Sequence, residues 1–206
     1  MVRKKLPGKM MDEFTRTLNE IERSGKKLNQ HVPEFRAFLE LAAGYFSARG
    51  IVCPQVVEIG ILDGAQKKFY EKVLCARHIG IDVNPAAPAD IHGDSRDPQT
   101  RKELEERLAG GLIDLLFIDG DHTYDAVKSD YEMYAPLCRH IAGLHDILTP
   151  KLHPRDPVDV IRFWEELKAE NKTDTLLTIQ HYNPRPAQAF NGRPLGIGVI
   201  IKGDAS

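Results

Sequence analysis

Val56-Val57-Glu58-Ile59-Gly60-Ile61-Leu62-Asp63-Gly64 decides the fold of this chain, read together with Ile79-Gly80-Ile81-Asp82 further on. The first stretch is an apolar strand that ends in an acid, a glycine-bearing turn and the start of a helix. The second is another apolar strand, closed by Asp82, 22 residues after Gly60. An open α/β sheet holds a nucleoside-containing ligand in this way. The glycine turn lets backbone approach the ligand, and the acid closing the second strand accepts from a pair of ribose hydroxyls.

The alternation continues downstream. Strands are expected at 56–60, 78–83, 90–93, 113–119 and 141–146, with helices at about 63–76, 98–109 and 123–135. Repeated strand–helix units give a parallel sheet covered by helices on both faces. A helix at about 157–170 is followed by Leu176-Leu177-Thr178-Ile179, a polar loop at 181–194 and the closing run Gly196-Ile197-Gly198-Val199-Ile200-Ile201. Two strands joined without a helix pair antiparallel, so the parallel sheet should finish in a hairpin. Upstream, 10–24 and 33–48 read as amphipathic helices. In the second, Phe35, Phe38, Leu39, Leu41, Ala42, Tyr45 and Phe46 recur near helical spacing, Pro33 suits the first turn and Gly50 the end. The expected organisation is a flexible basic tail at 1–9, N-terminal helices at 10–50 packed on or capping the core, and the main domain at 51–206.

Composition sets bounds on partners. The chain has 206 residues, 42% of them hydrophobic and 28% charged, as in an ordinary globular domain with a real core. A net charge of −2 gives no basic field for nucleic acid or an acidic membrane. No apolar run approaches the roughly 18–20 residues that span a bilayer, and the basic start lacks the apolar segment of a signal peptide. Cys53, Cys75 and Cys138 are odd in number and form no Cys-x-x-Cys pair, so buried free thiols and a cytoplasmic location are expected.

The glycine pattern narrows the ligand. A dinucleotide turn needs a middle glycine to admit a pyrophosphate, and Gly60-Ile61-Leu62-Asp63-Gly64 lacks it. Asp63 stands where a phosphate would lie and would repel it. An adenosine compound without phosphate fits better, and S-adenosylmethionine is one. Glu58 would stand near its ammonium, and backbone N–H groups at 60–65 would meet its carboxylate. Asp63 also reads as an N-cap of the next helix. Asp82 is placed for the ribose, and His92-Gly93-Asp94-Ser95 ends the third strand at the same sheet edge, where Asp94 would accept from an exocyclic amine.

The fourth strand carries the densest signal: Leu115-Leu116-Phe117-Ile118-Asp119-Gly120-Asp121-His122-Thr123-Tyr124. Three ionisable side chains in four residues, beyond the carboxyl end of a strand, mark a reaction centre or a metal site. The fifth strand ends similarly, in Leu144-His145-Asp146-Ile147.

These words resemble the class I S-adenosylmethionine-dependent methyltransferases, and within them the small-molecule O-methyltransferase branch that includes the macrocin-type and cephalosporin-cluster enzymes. The matching stretches are Val57–Gly60, Ile79–Pro85, Gly93–Ser95, Phe117–Tyr124, Asp130-Tyr131, His145–Ile147 and Gly196–Val199, over about residues 50–202. The resemblance implies a Rossmann-like, doubly wound, seven-stranded and mostly parallel α/β sheet with an antiparallel last strand. It implies S-adenosylmethionine as cofactor, with Glu58, Gly60 and Gly64 around the methionine moiety, Asp82 on the ribose, and Asp94 and Ser95 by the adenine. Asp119 would lie by the sulfonium and, in metal-using relatives, bind Mg²⁺. Two departures stand out. The Pro-Gly-Gly turn that commonly precedes the fifth strand is replaced by Leu137-Cys138-Arg139-His140-Ile141, and Asp146 is followed by Ile147, which cannot coordinate a metal.

An alcohol acceptor must lose a proton, to a base or through a metal that lowers its pKa. His145 and His122, each beside an Asp, are the candidate bases. Asp119, Asp146 and Asp121 are the candidate oxygen ligands for Mg²⁺. The expected substrate is a small molecule, with Tyr182, Asn183, Arg185 and Arg193 as candidate acceptor contacts. The N-terminal helices either cap the cofactor or form a homodimer face. A methyltransferase-fold protein without turnover and an NAD-dependent oxidoreductase are the competing functions.

Overall fold

The computed structural model of the chain describes residues 7–26, 28–148, 158–181 and 195–203. Tyr182, Asn183, Arg185 and Arg193 lie outside the described residues, as does most of the 181–194 loop. Strands β1 (Gln55–Ile59), β2 (Arg77–Asp82), β3 (Ile91–His92), β4 (Ile113–Ile118), β5 (Cys138–His145), β6 (Thr175–Ile179) and β7 (Ile197–Ile201) form one sheet. Their order is β3-β2-β1-β4-β5-β7-β6. β1 pairs in parallel with β2 and β4, and β4 pairs in parallel with β5. β7 inserts antiparallel between β5 and β6, with Gly143 opposite Val199 and Leu177 opposite Val199 on the other side. The sheet is therefore doubly wound with an antiparallel hairpin at its end, as the sequence pattern predicts.

The helices are α1 (Pro7–Arg23), α2 (Val32–Ala48), α3 (Lys67–Val73), α4 (Pro98–Leu108), α5 (Tyr124–Tyr134) and α6 (Val160–Glu170). Period-two alternation along the strands divides the core between the two faces. Val56, Leu115 and Phe117 pack with Phe14 and Ile21 of α1, Phe35 and Phe38 of α2, and Phe69 and Tyr70 of α3. Val57, Leu116 and Ile118 pack with Leu104 of α4, Val127 and Tyr134 of α5, and Phe163 and Trp164 of α6. The N-terminal helices thus cover one face of the sheet together with α3. α1 begins at Pro7, within the segment expected to be a tail.

Several local expectations differ. α3 starts four residues later than the pattern suggests, because Leu62 and Gly64 hold positive φ (50° and 73°) and the chain stays in a turn until Gln66. β3 is two residues long. Thr123 occupies the N-cap of α5 without a capping side-chain bond; the Asp121 carboxylate instead accepts from Thr123 N at 3.0 Å. Cys53 and Cys75 are exposed rather than buried, both in positive-φ turns beside their apolar segments, and Cys138 is buried. The glycine-free entry to β5 is rebuilt as a 3₁₀ turn, Ala135–Leu137, that runs straight into the strand.

Candidate functional site

From β1 the chain moves outward to β2 and β3, then returns past β1 to β4. The strand order reverses between β1 and β4, and a crevice opens beyond their carboxyl ends. A cleft of about 700 Å³ lies there, lined by the 59–66 turn, the ends of β2, β3, β4 and β5, and Asn29 and Gln30 from the α1–α2 connection.

The glycine turn forms its floor. Gly60 has φ 82°, and its N–H donates to Ile81 O at 2.9 Å. A Cβ at Gly60 would overlap the Asp119 carbonyl and the Gly120 Cα, so only glycine lets the β1 turn lie against the end of β4. Asp82 Oδ2 accepts from Ile61 N and Leu62 N at 3.0 Å each, and Oδ1 accepts from Asn84 N at 2.8 Å. Asp82 therefore lines the cleft and also fixes the turn. Asp63 Oδ1 accepts from Ala65 N at 2.9 Å, which closes a local turn; the N-cap of α3 itself is Gln66. Gly64 packs against Pro88, where a Cβ would stand 2.8 Å from the ring.

Glu58 does not line the cleft. It is fully buried, with Oε2 2.8 Å from His78 Nε2, and His78 stacks on Tyr70. Burial raises its pKa against the opposing His78 hydrogen bond. Its side chain pairs with His78 inside the core instead of forming a wall.

At the other end lie Asp94 and Ser95. The Asp94 carboxylate accepts from Arg96 N at 3.0 Å and from Arg96 Nε and Nη2 at 2.9 Å each, and the Arg96 hydrogen bond holds it below the usual carboxylate range. The Ser95 carbonyl accepts from Tyr134 Oη at 2.7 Å. Asp130, 1% exposed, lines the cleft next to them. Burial lifts its pKa to about 6 against a Ser95 hydrogen bond, and its Oδ1 has no partner among the described residues. Asp130-Tyr131 is among the stretches that carry the resemblance, but an acid within a helix gives no signal of facing a ligand.

Asp119 gathers the polar side chains beyond the end of β4. Its Oδ1 lies 2.7 Å from His145 Nδ1 and 3.2 Å from His122 Nε2. Its Oδ2 accepts from Gln30 Nε2 at 2.5 Å and from Gln66 Nε2 at 3.2 Å. Burial pushes the Asp119 pKa up, but the His145 charge and the hydrogen bonds from both imidazoles outweigh it and hold the carboxyl well below its ordinary value. Burial pulls both histidines down, and the Asp119 carboxylate, helped by Asp146, more than reverses this. His145 stands at about 9 and His122 above its usual value. At about 9, the His145 ring holds its proton at neutral pH. Asp146, at φ 61°, places Oδ2 3.4 Å from His122 Nδ1 and Oδ1 3.6 Å from His145 Nδ1.

The three acids expected to bind Mg²⁺ do not assemble into one oxygen set. Asp121 is half exposed and turned toward Arg96, 3.7 Å away, and toward Thr123 N. The side chains brought together are Asp119, His122 and His145, whose donor atoms all lie within 4.8 Å of one another. Gln30 and Gln66, which no local sequence signal marks, complete the surroundings of Asp119.

This sheet order, with its cleft at the β1–β4 reversal and its antiparallel β7, is the fold of the class I S-adenosylmethionine-dependent methyltransferases. Residues 57–146 match the family model described as a methyltransferase domain. Among solved structures, the MycE methyltransferase of the mycinamycin pathway, in complex with Mg, SAH and mycinamycin VI, superposes with a TM-score of 0.60 at 14% identity, covering 93% of this chain and 53% of that one. A putative caffeoyl-CoA O-methyltransferase from Staphylococcus aureus superposes at 0.58 and 15% identity, covering 92% of each chain. The O-methyltransferase TomG from Streptomyces achromogenes, in complex with SAM, superposes at 0.53 and 14% identity, covering 93% of this chain and 90% of that one. Two curated relatives named ribosomal RNA large subunit methyltransferase E match shorter stretches. The protein of Verminephrobacter eiseniae is 31% identical over 78 residues, 34% of this chain and 32% of that protein. The protein of Methanoculleus marisnigri is 30% identical over 92 residues, 39% and 45% respectively. The chain thus spans less than half the length of the curated relatives it matches.

Proposed function

We propose that this chain transfers a methyl group from S-adenosylmethionine to a hydroxyl oxygen of a small molecule. The observation that carries this is the joint geometry of Gly60, Asp82 and Asp119. The turn after β1 lies against the end of β4, the acid closing β2 holds that turn, and Asp119 faces the same cleft. The methyltransferase-domain match over 57–146 and the SAM- and SAH-bound neighbours support the cofactor.

In this assignment Gly60 and Gly64 surround the methionine moiety, Asp82 takes the ribose hydroxyls, and Asp94, Ser95 and Asp130 flank the adenine. The sulfonium makes a good leaving group, so the main task is to bring the acceptor oxygen in line with the methyl carbon. The acceptor's proton falls to His122 of the Asp119–His122–His145 cluster, in the neutral form of its ring. Arg96, held between Asp94 and Asp121, leaves the cleft with an acidic rather than a basic lining, which favours a small acceptor over RNA. Two curated relatives bear ribosomal RNA methyltransferase names, so RNA belongs in the acceptor screen. Among the described residues no helix is long and apolar enough to cross a membrane. With three free cysteines, a cytoplasmic place is proposed.

Calorimetric titration with S-adenosylhomocysteine tests the cofactor. Micromolar binding that Asp82→Ala abolishes supports the assignment; no binding in any condition removes it. An acceptor screen with labelled S-adenosylmethionine then separates hydroxyl compounds, amines and ribosomal RNA. A protein that binds the cofactor but labels none of them is the fold without turnover.

A further inference from the structure

We propose that Asp119, His122 and His145 bind a first-row transition-metal dication of the Mn²⁺, Fe²⁺, Co²⁺ or Zn²⁺ kind in preference to Mg²⁺. The donors are one carboxylate oxygen and two imidazole nitrogens. Asp119 Oδ1 sits 3.2 Å from His122 Nε2 and 2.7 Å from His145 Nδ1. Neighbouring ligands at metal bonds of about 2.1 Å stand about 3 Å apart, as both carboxylate–imidazole pairs do, and all three donor atoms lie within 4.8 Å of one another. Three elements supply them: the end of β4, the loop that follows it, and the last residue of β5.

The surroundings are those of a built site. Gln30 and Gln66 both bind Asp119 Oδ2, which turns Oδ1 toward the imidazoles. Asp146 Oδ2 lies 3.4 Å from His122 Nδ1, the nitrogen a metal would leave protonated. A carboxylate on the far nitrogen of a ligating histidine fixes its tautomer and its aim. His145 is 5% exposed and lines the cleft. The remaining coordination positions would open on the cleft.

The chemistry of the donors selects the ion. Mg²⁺ demands a near-octahedral shell of oxygens, whereas imidazole suits first-row transition ions, and two histidines with one carboxylate is a recognised set for them. The third acid of an all-oxygen set is missing, because Asp121 faces Arg96. Bound at this place, the ion would supply Lewis-acid activation of an acceptor oxygen.

The proposal rests on donor geometry and stands apart from methyl transfer. Chelator-stripped full-length protein is loaded with Mn²⁺ against a roughly hundredfold excess of Mg²⁺ and examined by electron spin-echo spectroscopy. The expected result is one Mn²⁺ per chain with nitrogen modulation from coordinated imidazole. His122→Gln should weaken binding tenfold or more and reduce that modulation. Asp146→Asn should weaken binding about 10–100-fold while the modulation persists. His122 is the variant of choice because its ring is 31% exposed, whereas His145 is buried. Displacement of Mn²⁺ by equimolar Mg²⁺, absence of nitrogen modulation, or modulation unchanged in His122→Gln would each overturn the proposal. S-adenosylhomocysteine binding to the metal-free protein is measured alongside, so failure of the cofactor assignment is seen separately.

Discussion

Gln30 reaches across from the α1–α2 connection and donates to the Asp119 carboxylate at 2.5 Å, 89 residues further along the chain. Lys26, on the same connection, donates to the Asp63 carbonyl at 2.6 Å. The N-terminal segment therefore forms part of the cleft wall as well as covering the sheet. Gln30 is 4% exposed, so its bond to a charged acceptor is shielded from water.

Replacing Gln30 with Ala removes one of two amide donors to Asp119 Oδ2. Hydrogen bonds to charged groups contribute about 1.5–3 kcal/mol, and Gln66 and the two histidines still satisfy the carboxylate. We expect a loss of stability of about 1–3 kcal/mol in urea unfolding, together with weaker S-adenosylhomocysteine binding. An unchanged midpoint and unchanged affinity would show that the N-terminal segment is a passive cover.

Gly60→Ala forces a Cβ into the Asp119 carbonyl at a backbone angle that L-residues rarely adopt. Backbone lies on the other side of the clash, so no side chain can swing away. We expect a loss of about 2–4 kcal/mol and no measurable cofactor binding. Retained micromolar affinity in calorimetry would contradict the close approach.

Asp82 holds the turn and lines the cleft, and two variants separate the turn from the proposed ribose contact. Asp82→Asn keeps one acceptor oxygen for Ile61 N and Leu62 N but presents an NH₂ elsewhere. Asp82→Ala leaves all three N–H groups, Asn84 N included, without their acceptor. We expect at least tenfold weaker S-adenosylhomocysteine binding in both, with the larger stability loss in Asp82→Ala. Equal affinity for wild type and Asp82→Asn would remove the ribose contact.

The Asp130 carboxyl has its pKa raised by burial to about 6, above its ordinary value of 3.8. Between those values the folded protein binds more protons than the unfolded chain, so this group makes stability fall as pH rises from about 4 to 6. The cost is absent below about pH 4 and fully present above about pH 6, at up to about 2–3 kcal/mol. Asp130→Asn should remove this decline, so the stability difference between variant and wild type should grow over that window. A difference that stays flat with pH would show that Asp130 ionises freely in the fold.

Much of the site was legible along the chain. Apolar runs ending in Glu58-Ile59-Gly60, Asp82, Asp119 and His145-Asp146 mark strand carboxyl ends, because burial on both sheet faces demands continuous apolar residues and polar groups are tolerated only where the strand emerges. The hairpin of β6 and β7 followed from two apolar runs with no helix between them. Short elements and turns were less legible. Leu62 and Gly64 delay α3 through backbone angles that no periodicity reveals, and Cys53 and Cys75 sit beside apolar runs yet turn outward.

Hydrophobic period and strand length along the chain dictate the doubly wound sheet, its antiparallel ending and the edge at which Asp82, Asp94 and Asp119 gather. Which polar groups meet is settled by packing in three dimensions. Glu58 turned down to His78, Asp121 turned away to Arg96, and Gln30, Gln66 and two imidazoles closed on Asp119. Such partnerships depend on which side chains packing brings within about 3 Å of one another. Spacing along the chain does not record that for residues 53 or 89 positions apart.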